Sequence, residues 1–275
     1  MNERGSTIVR LALFGAGLVV LAAVAAFAGR ASGIDVENEP GDAMTHGAES
    51  AGATANGLSD SASGFRFRLG SSPLRAGAPA RLDMTLERNG KPFTQLDDAH
   101  DEPPLHLILV RRDLAGYVHL HPRRNGDRFT TTIELPTPGI WRAYADFEVD
   151  GEKIVLGRDL FVPGDLLPQR LAPPRQTASV DGYGVRLRRG ADLSFEITRG
   201  GRPVSALQPY LGAAGHLVAI REDDLAYLHV HPLESSRSGT ITFEAELEEP
   251  GRYALFLQFR HGGRVHTVPF TMVAT

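Results

Sequence analysis

The sequence predicts an all-β chain in which two tandem β-sandwich domains of the immunoglobulin or cupredoxin kind follow an N-terminal apolar helix and a disordered tether. A seventeen-residue phrase occurs twice, as HLILVRRDLAGYVHLHP at 106–122 and HLVAIREDDLAYLHVHP at 216–232. The segments around both copies alternate apolar and polar residues with the period of a β-strand. The offset of 110 residues between the copies is about the length of one immunoglobulin-like domain.

The first thirty residues are expected to direct the chain out of the cytoplasm. Residues 11–28 form an unbroken apolar and small-residue run behind a basic flank with Arg4 and Arg10. This run lies at the lower edge for a membrane-spanning helix and exceeds the usual apolar part of a cleavable signal. We therefore favour a single-pass anchor in the cell membrane with extracytoplasmic domains. Secretion after cleavage near residues 26–28 is the alternative.

Composition divides the chain into five parts. A Gly-, Ala- and Ser-rich stretch without apolar periodicity is typical of a tether, and four prolines between the strand-rich halves indicate a semi-rigid linker. Asn89-Gly90 and Asp150-Gly151 in the first half, and Gly262-Gly263 in the second, predict tight hairpin turns. The predicted parts are a signal or anchor at 1–30, a tether at 31–63, a first domain at 64–162, a linker at 163–177 and a second domain at 178–275.

Each copy of the repeated phrase is predicted to form a β-hairpin, because apolar and β-branched runs flank a short polar turn. Strand side chains alternate faces, so the two histidines of each His-x-His point the same way, about 7 Å apart. A two- or four-residue loop puts the upstream histidine on that face as well, whereas a three-residue loop puts it on the other. The histidines concerned are His106, His119 and His121 in the first copy and His216, His229 and His231 in the second.

Three imidazoles on one face indicate a transition-metal site. The chain has no cysteine, so imidazole is its abundant ligand for such metals. Most positions differ between the two copies, whereas all three histidines are the same. Three imidazoles leave an open coordination position and suit a copper or zinc ion. His100, in an acidic stretch before the first hairpin, and His261, beside the last turn, are candidate further ligands.

Other functions find less support in the sequence. The net charge of −4 gives no basic surface, so no nucleic-acid partner is predicted, and no protein partner is indicated. The chain has no nucleophile elbow, phosphate loop or dinucleotide fingerprint. Asp113 and Asp223 lie at the far end of the hairpins from the histidines, so no general base is placed and we do not expect an enzyme. The alternative to metal binding is a non-catalytic structural or interaction module of the cell envelope, with histidines that only support the fold.

Four phrases carry a resemblance to a known family: HLILVRRDLAGYVHLHP, PTPGIWRAYADF, GRDLFVPG and QPYLGAAGHLVAIREDDLAYLHVHP. They resemble a family of exported bacterial proteins with two tandem β-sandwich domains, commonly labelled secreted or heavy-metal-binding. The resemblance covers nearly all of the chain after the tether. In that family a His-Glu pair usually precedes the first hairpin, and here His100-Asp101 stands there with one extra residue. The residues and the resemblance together predict an extracytoplasmic binder of Cu(II) or Zn(II), in copper handling.

Overall fold

The computed structural model describes residues 56–70, 72–97, 103–210, 213–228, 230–233, 238–245 and 249–275, without the side chains of His231 and Ala245. All of them belong to one compact unit, Ala51–Thr275. Their regular elements are β-strands. Within these ranges no helix has the length and apolarity that crossing a membrane requires. The all-β prediction with two tandem sandwiches is confirmed. The predicted N-terminal helix and most of the tether lie outside the described residues.

The first domain consists of two antiparallel sheets. Its strands are β1 Ser61–Ala62, β2 Phe65–Leu69, β3 Pro79–Arg88, β4 Lys91–Pro92, β5 Leu105–Arg111, β6 Tyr117–Leu120, β7 Arg123–Asn125, β8 Arg128–Glu134, β9 Gly139–Val149 and β10 Glu152–Val162. The large sheet has the order β1-β2-β3-β8-β7 with β4 beside β3, and the small sheet has the order β10-β9-β5-β6. Asp150 and Gly151 join β9 to β10 with φ of 56° and 77°, which confirms the predicted tight turn.

The second domain repeats this plan strand for strand. Its strands are β11 Thr177–Val180, β12 Tyr183–Arg189, β13 Leu193–Arg199, β14 Arg202–Pro203, β15 Gly215–Arg221, β16 Tyr227–Leu228, β17 Val230–Leu233, β18 Thr240–Ala245, β19 Gly251–His261 and β20 Arg264–Ala274. The large sheet has the order β11-β12-β13-β18-β17 with β14 beside β13, and the small sheet has the order β16-β15-β19-β20. Each domain encloses its own apolar core between its two sheets.

Both repeated phrases form hairpins with the same register. The backbone N–H of Arg111 donates to the carbonyl of Gly116 at 3.0 Å, and Ile108 lies opposite His119. In the second hairpin, the N–H of Arg221 donates to the carbonyl of Ala226 at 2.9 Å. Each loop therefore has four residues. This is one of the two loop lengths that place the upstream histidine on the face of the His-x-His pair.

The small sheets of the two domains pack face to face, so their central strands are buried on both sides. In β5, Leu107 and Leu109 face the core of the first domain, whereas Ile108 and Val110 face the second domain. The side chains of β15, in the second hairpin, likewise alternate between the core of the second domain and the first domain. The interdomain cluster joins Ile108, Val110, Leu114, Tyr144 and Val155 to Val218, Ile220, Leu225, Tyr227, Ala254 and Phe256.

Reciprocal aromatic pairs show that this interface is close to two-fold symmetric. Tyr117 of the first domain stacks on Phe256 of the second, with ring centroids 4.4 Å apart. Tyr227 of the second domain packs on Tyr144 of the first at 5.4 Å. Tyr117 and Tyr227 occupy equivalent positions in the repeat, and so do Tyr144 and Phe256. One contact is therefore made twice with the domains exchanged, as across a dimer interface with two-fold symmetry.

The proline-rich linker holds the domains in this arrangement through hydrogen bonds to both. The N–H of Gln169 donates to Asp113 of the first domain at 2.9 Å. Arg252 of the second domain donates to the carbonyl of Leu171 at 3.1 Å, and the Leu171 side chain packs on the interdomain cluster. The linker is thus fixed at the turn end of the hairpins, which is the end of the interface away from the histidines.

Candidate functional site

The three histidines of the first repeat converge beside the interdomain interface. His106 lies in β5, His119 in β6, and His121 directly after β6, where the chain passes to the large sheet. One ring nitrogen from each lies within 4.8 Å of the other two. Their ring centroids are 4.7 to 5.2 Å apart. We call these three residues the histidine trio.

Hydrogen bonds define which nitrogen of His119 carries the proton. Nδ1 of His119 lies 2.7 Å from Oε1 of Gln258, and an amide oxygen only accepts, so Nδ1–H donates to it. Nε2 of His119 therefore carries the lone pair. It lies 3.0 Å from Nδ1 of His106, which donates to it. The tautomer follows from this network of partners.

His121 supplies the clearest sign that the trio can hold a ligand. Its Nε2 is shielded from solvent and has no hydrogen-bond partner among the residues that the structure describes. Buried polar atoms in proteins are nearly always paired, because an unpaired one loses its hydration without replacement. A buried ring nitrogen next to two further imidazoles is the arrangement expected of a metal ligand.

Burial and neighbouring histidines keep His119 and His121 uncharged at neutral pH. Burial, followed by the charges that His106 and His121 would carry, lowers the pKa of His119 well below its ordinary value. Burial, together with His216, lowers the pKa of His121 to about 4. Neutral imidazole is the form that coordinates metals. The site is thus ready for a cation without first losing protons from these two rings.

One histidine of the second repeat, His216, lies beside the histidine trio. The ring of His216 lies 6.0 Å from that of His106 and 5.8 Å from that of His119. Its Nε2 donates to the carbonyl of Tyr210 at 2.8 Å, and its ring nitrogens fall outside the cluster of ligand atoms formed by the trio. His216 therefore borders the trio with a hydrogen bond of its own. His229 and the side chain of His231 lie outside the described residues.

A cavity of about 170 Å³ opens beside the trio between the two domains. His106 and His119 line it from the first domain, and His216 and Tyr227 from the second. His121 lines a separate groove on the outer side, with Arg81, Arg123 and the threonines of β8. The trio thus borders both a cavity between the domains and a groove on the large sheet of the first domain.

The remaining candidate ligands do not join the trio. A ring nitrogen of His261, at the C-terminal end of β19, shares a hydrogen bond with the hydroxyl of Tyr183 at 2.7 Å. The neighbouring His266 is held by Asp181 at 2.7 Å and contributes to the packing of that turn. The ligand cluster found in the described part of the chain includes neither of them. His100 lies outside the described residues.

Two polar residues near the trio were missed by the sequence analysis. Gln258 lies opposite His216 in the register of β15 and β19, and Asp146 lies opposite His106 in that of β5 and β9. The hydroxyl of Tyr227 donates to Asp146 at 2.9 Å. An alignment of PTPGIWRAYADF with the matching segment of the second half pairs Asp146 with Gln258. This pairing was the feature of the sequence that could have pointed to both residues.

One protein-family model, described as Domain of unknown function (DUF8832), matches residues 60–162 and again residues 176–275. No curated protein matches the chain. Among solved structures, a mutant of Salmonella alpha-2-macroglobulin is 16% identical with a TM-score of 0.29, and the match covers 81% of this chain and 15% of that one. The Escherichia coli adhesin FdeC is 15% identical with a TM-score of 0.25, covering 82% of this chain and 66% of the adhesin. Titin-A168169 is 13% identical with a TM-score of 0.20, covering 77% of this chain and 97% of that one.

Proposed function

The chain belongs to the DUF8832 family, with two copies of its domain, and we propose that it is an extracytoplasmic metal-binding protein. The histidine trio would hold Cu(II) or Zn(II), in copper handling. The observation that carries this proposal is that one ring nitrogen from each of the three histidines lies within 4.8 Å of the other two. In addition, Nε2 of His121 is buried and lacks a partner in the described part of the chain.

The spacing of the trio fits a transition metal. Zinc–imidazole bonds of 2.0–2.1 Å in tetrahedral geometry place ligand nitrogens about 3.3 Å apart. The nitrogens of His106 and His119 that face each other are 3.0 Å apart, and no separation within the trio exceeds 4.8 Å. Coordination through Nδ1 of His106 would require that ring to carry its proton on Nε2 instead. Imidazole suits both zinc and copper, and copper binds more tightly where it is available.

We propose binding rather than catalysis, at a membrane-anchored or secreted location. The apolar run at 11–28 supports export, as described above. A catalytic role would need a general base, and Asp113 is unsuited to it because Arg111 holds both of its oxygens at 2.7 Å. The cysteine-free composition supports imidazole rather than thiolate ligation.

The second candidate is a structural module in which the histidines only secure the interface. The observation that favours it is the hydrogen bond from His119 to Gln258, because this bond joins the two domains. A structural role leaves Nε2 of His121 unexplained, since packing alone would favour a side chain without a buried polar atom.

Calorimetric titration of the metal-stripped full chain with Zn²⁺ and Cu²⁺ tests the proposal. We expect one tight site. Combining His119→Ala with His121→Ala should lower the metal affinity by more than about 100-fold, which exceeds the loss usually caused by removing a residue that only supports a ligand. His261→Ala is the matched control and leaves this site intact. Binding weaker than about 1 mM, or affinity unchanged in the double variant, would overturn the proposal. The structural candidate instead predicts a lower melting temperature with unchanged metal binding.

A further inference from the structure

Gln258 reaches the histidine trio from the other domain. It lies in β19 of the second domain and is only 6% exposed, yet its Oε1 accepts from Nδ1–H of His119 in the first domain at 2.7 Å. The hydroxyl of Tyr117, also in the first domain, approaches the same oxygen at 3.4 Å. The amide oxygen of Gln258 thus faces two polar groups across the domain interface.

The opposite end of the amide is fixed within the second domain. Nε2 of Gln258 donates to Oγ1 of Thr267 in β20 at 3.1 Å. In this orientation of the amide, Nε2–H is the donor and the hydroxyl of Thr267 is the acceptor. Oε1 is then presented to His119, which must keep its proton on Nδ1. The lone pair of His119 is left on Nε2, toward His106.

We infer that Gln258 is the positioning residue for His119, so that metal affinity depends on docking of the second domain onto the first. This inference rests on the proposed function. Outer-shell partners fix the tautomer and ring orientation of a ligating histidine, and their loss typically lowers metal affinity about 10–100-fold. Coupling between two equilibria is reciprocal, so a bound ion would stabilise the docked arrangement by the same factor.

The test uses the full chain in detergent with Zn²⁺ as the probe, measured against a competing chelator. Gln258→Leu, which keeps an apolar side chain but removes the acceptor, is expected to bind Zn²⁺ about 10–100-fold more weakly. Gln258→Glu retains an acceptor for Nδ1–H, and Thr267 can donate its hydroxyl proton to it, so its affinity should stay within about tenfold of that of the wild type. Gln208→Leu is the matched control, because the side chain of this exposed glutamine accepts from the N–H of Gly263 in the same domain.

The tautomer of His119 provides a readout that simple destabilisation does not change. In ¹⁵N-histidine spectra of the metal-free wild type, with His119 assigned by its loss in His119→Ala, we expect a protonated Nδ1 and an unprotonated Nε2. Gln258→Leu should mix the two tautomers, and Gln258→Glu should restore the single one. Affinity of Gln258→Leu within threefold of the wild type, or an unchanged tautomer, would overturn the inference. A wild-type chain that binds no Zn²⁺ overturns the proposed function instead, and the spectra still decide whether Gln258 orients His119.

Discussion

The two repeats have the same strands and the same hairpin register, and both contribute to the interface between the domains. They differ in the polar groups around equivalent histidines. His106 faces His119 across 3.0 Å, whereas its equivalent His216 donates to the carbonyl of Tyr210. Asp146 and Gln258 are likewise equivalent and accept from the equivalent hydroxyls of Tyr227 and Tyr117, but one is a carboxylate and the other an amide. The apolar packing of the two repeats is therefore the same even where the polar residues beside it differ.

The largest difference between the repeats is expected in metal affinity. His106→Ala removes a ligand of the trio and should weaken Zn²⁺ binding more than about 100-fold, beyond the cost of losing an outer-shell partner. His216→Ala removes a ring that already has a carbonyl partner outside the trio, and it should cost less than tenfold. Chelator competition with both variants measures this. Equal losses of Zn²⁺ affinity would show that both repeats supply ligands and would contradict the expected difference between the repeats.

A smaller difference is expected in stability from the two interface tyrosines. Tyr227→Phe removes a 2.9 Å hydrogen bond to the carboxylate of Asp146 and should lower the free energy of unfolding by about 1.5–3 kcal/mol. Tyr117→Phe removes a 3.4 Å contact with a neutral amide and should cost less than about 1.5 kcal/mol. Denaturant unfolding of the metal-free variants gives both values. The reverse order would contradict the assigned hydrogen bonds.

The last difference concerns the acid sensitivity of the first repeat. The pKa of His121 is about 4 in the folded chain and about 6.5 when unfolded. Between these values the unfolded chain binds a proton that the folded chain does not, so stability falls as the pH drops from 6.5 toward 4. His121→Asn removes this contribution, and its melting temperature should decline less steeply over that window in the presence of a chelator. Parallel declines would show that His121 titrates normally.

The sequence was sufficient for the fold, and it left the geometry of the first hairpin to a loop length that the structure supplied. Strand alternation, paired with a four-residue loop, placed His106 on the face of His119 and His121, and the tight turns at Asp150 and Gly262 were also predicted. These features are local, because they depend on neighbours within one hairpin.

Interdomain geometry was not predicted, because it depends on how two finished sheets meet. The approach of His216 to the trio and the role of Gln258 both follow from that contact. A signal was present in the four consecutive apolar residues at 107–110 and again at 217–220, since continuous runs are typical of strands buried on both faces. The same packing explains the aromatic spacing in β9: Trp141 lies in the core and Tyr144 in the interdomain cluster.

The reciprocal stacking of Tyr117 on Phe256 and of Tyr227 on Tyr144 bears on how such a protein could have arisen. An ancestor with one domain could have formed a homodimer through the same sheet faces, with two identical histidine sets related by the axis. Fusing the subunits into one polypeptide ends the requirement that both halves carry the same side chains. Each half can then specialise, one in ligation and the other in supporting it.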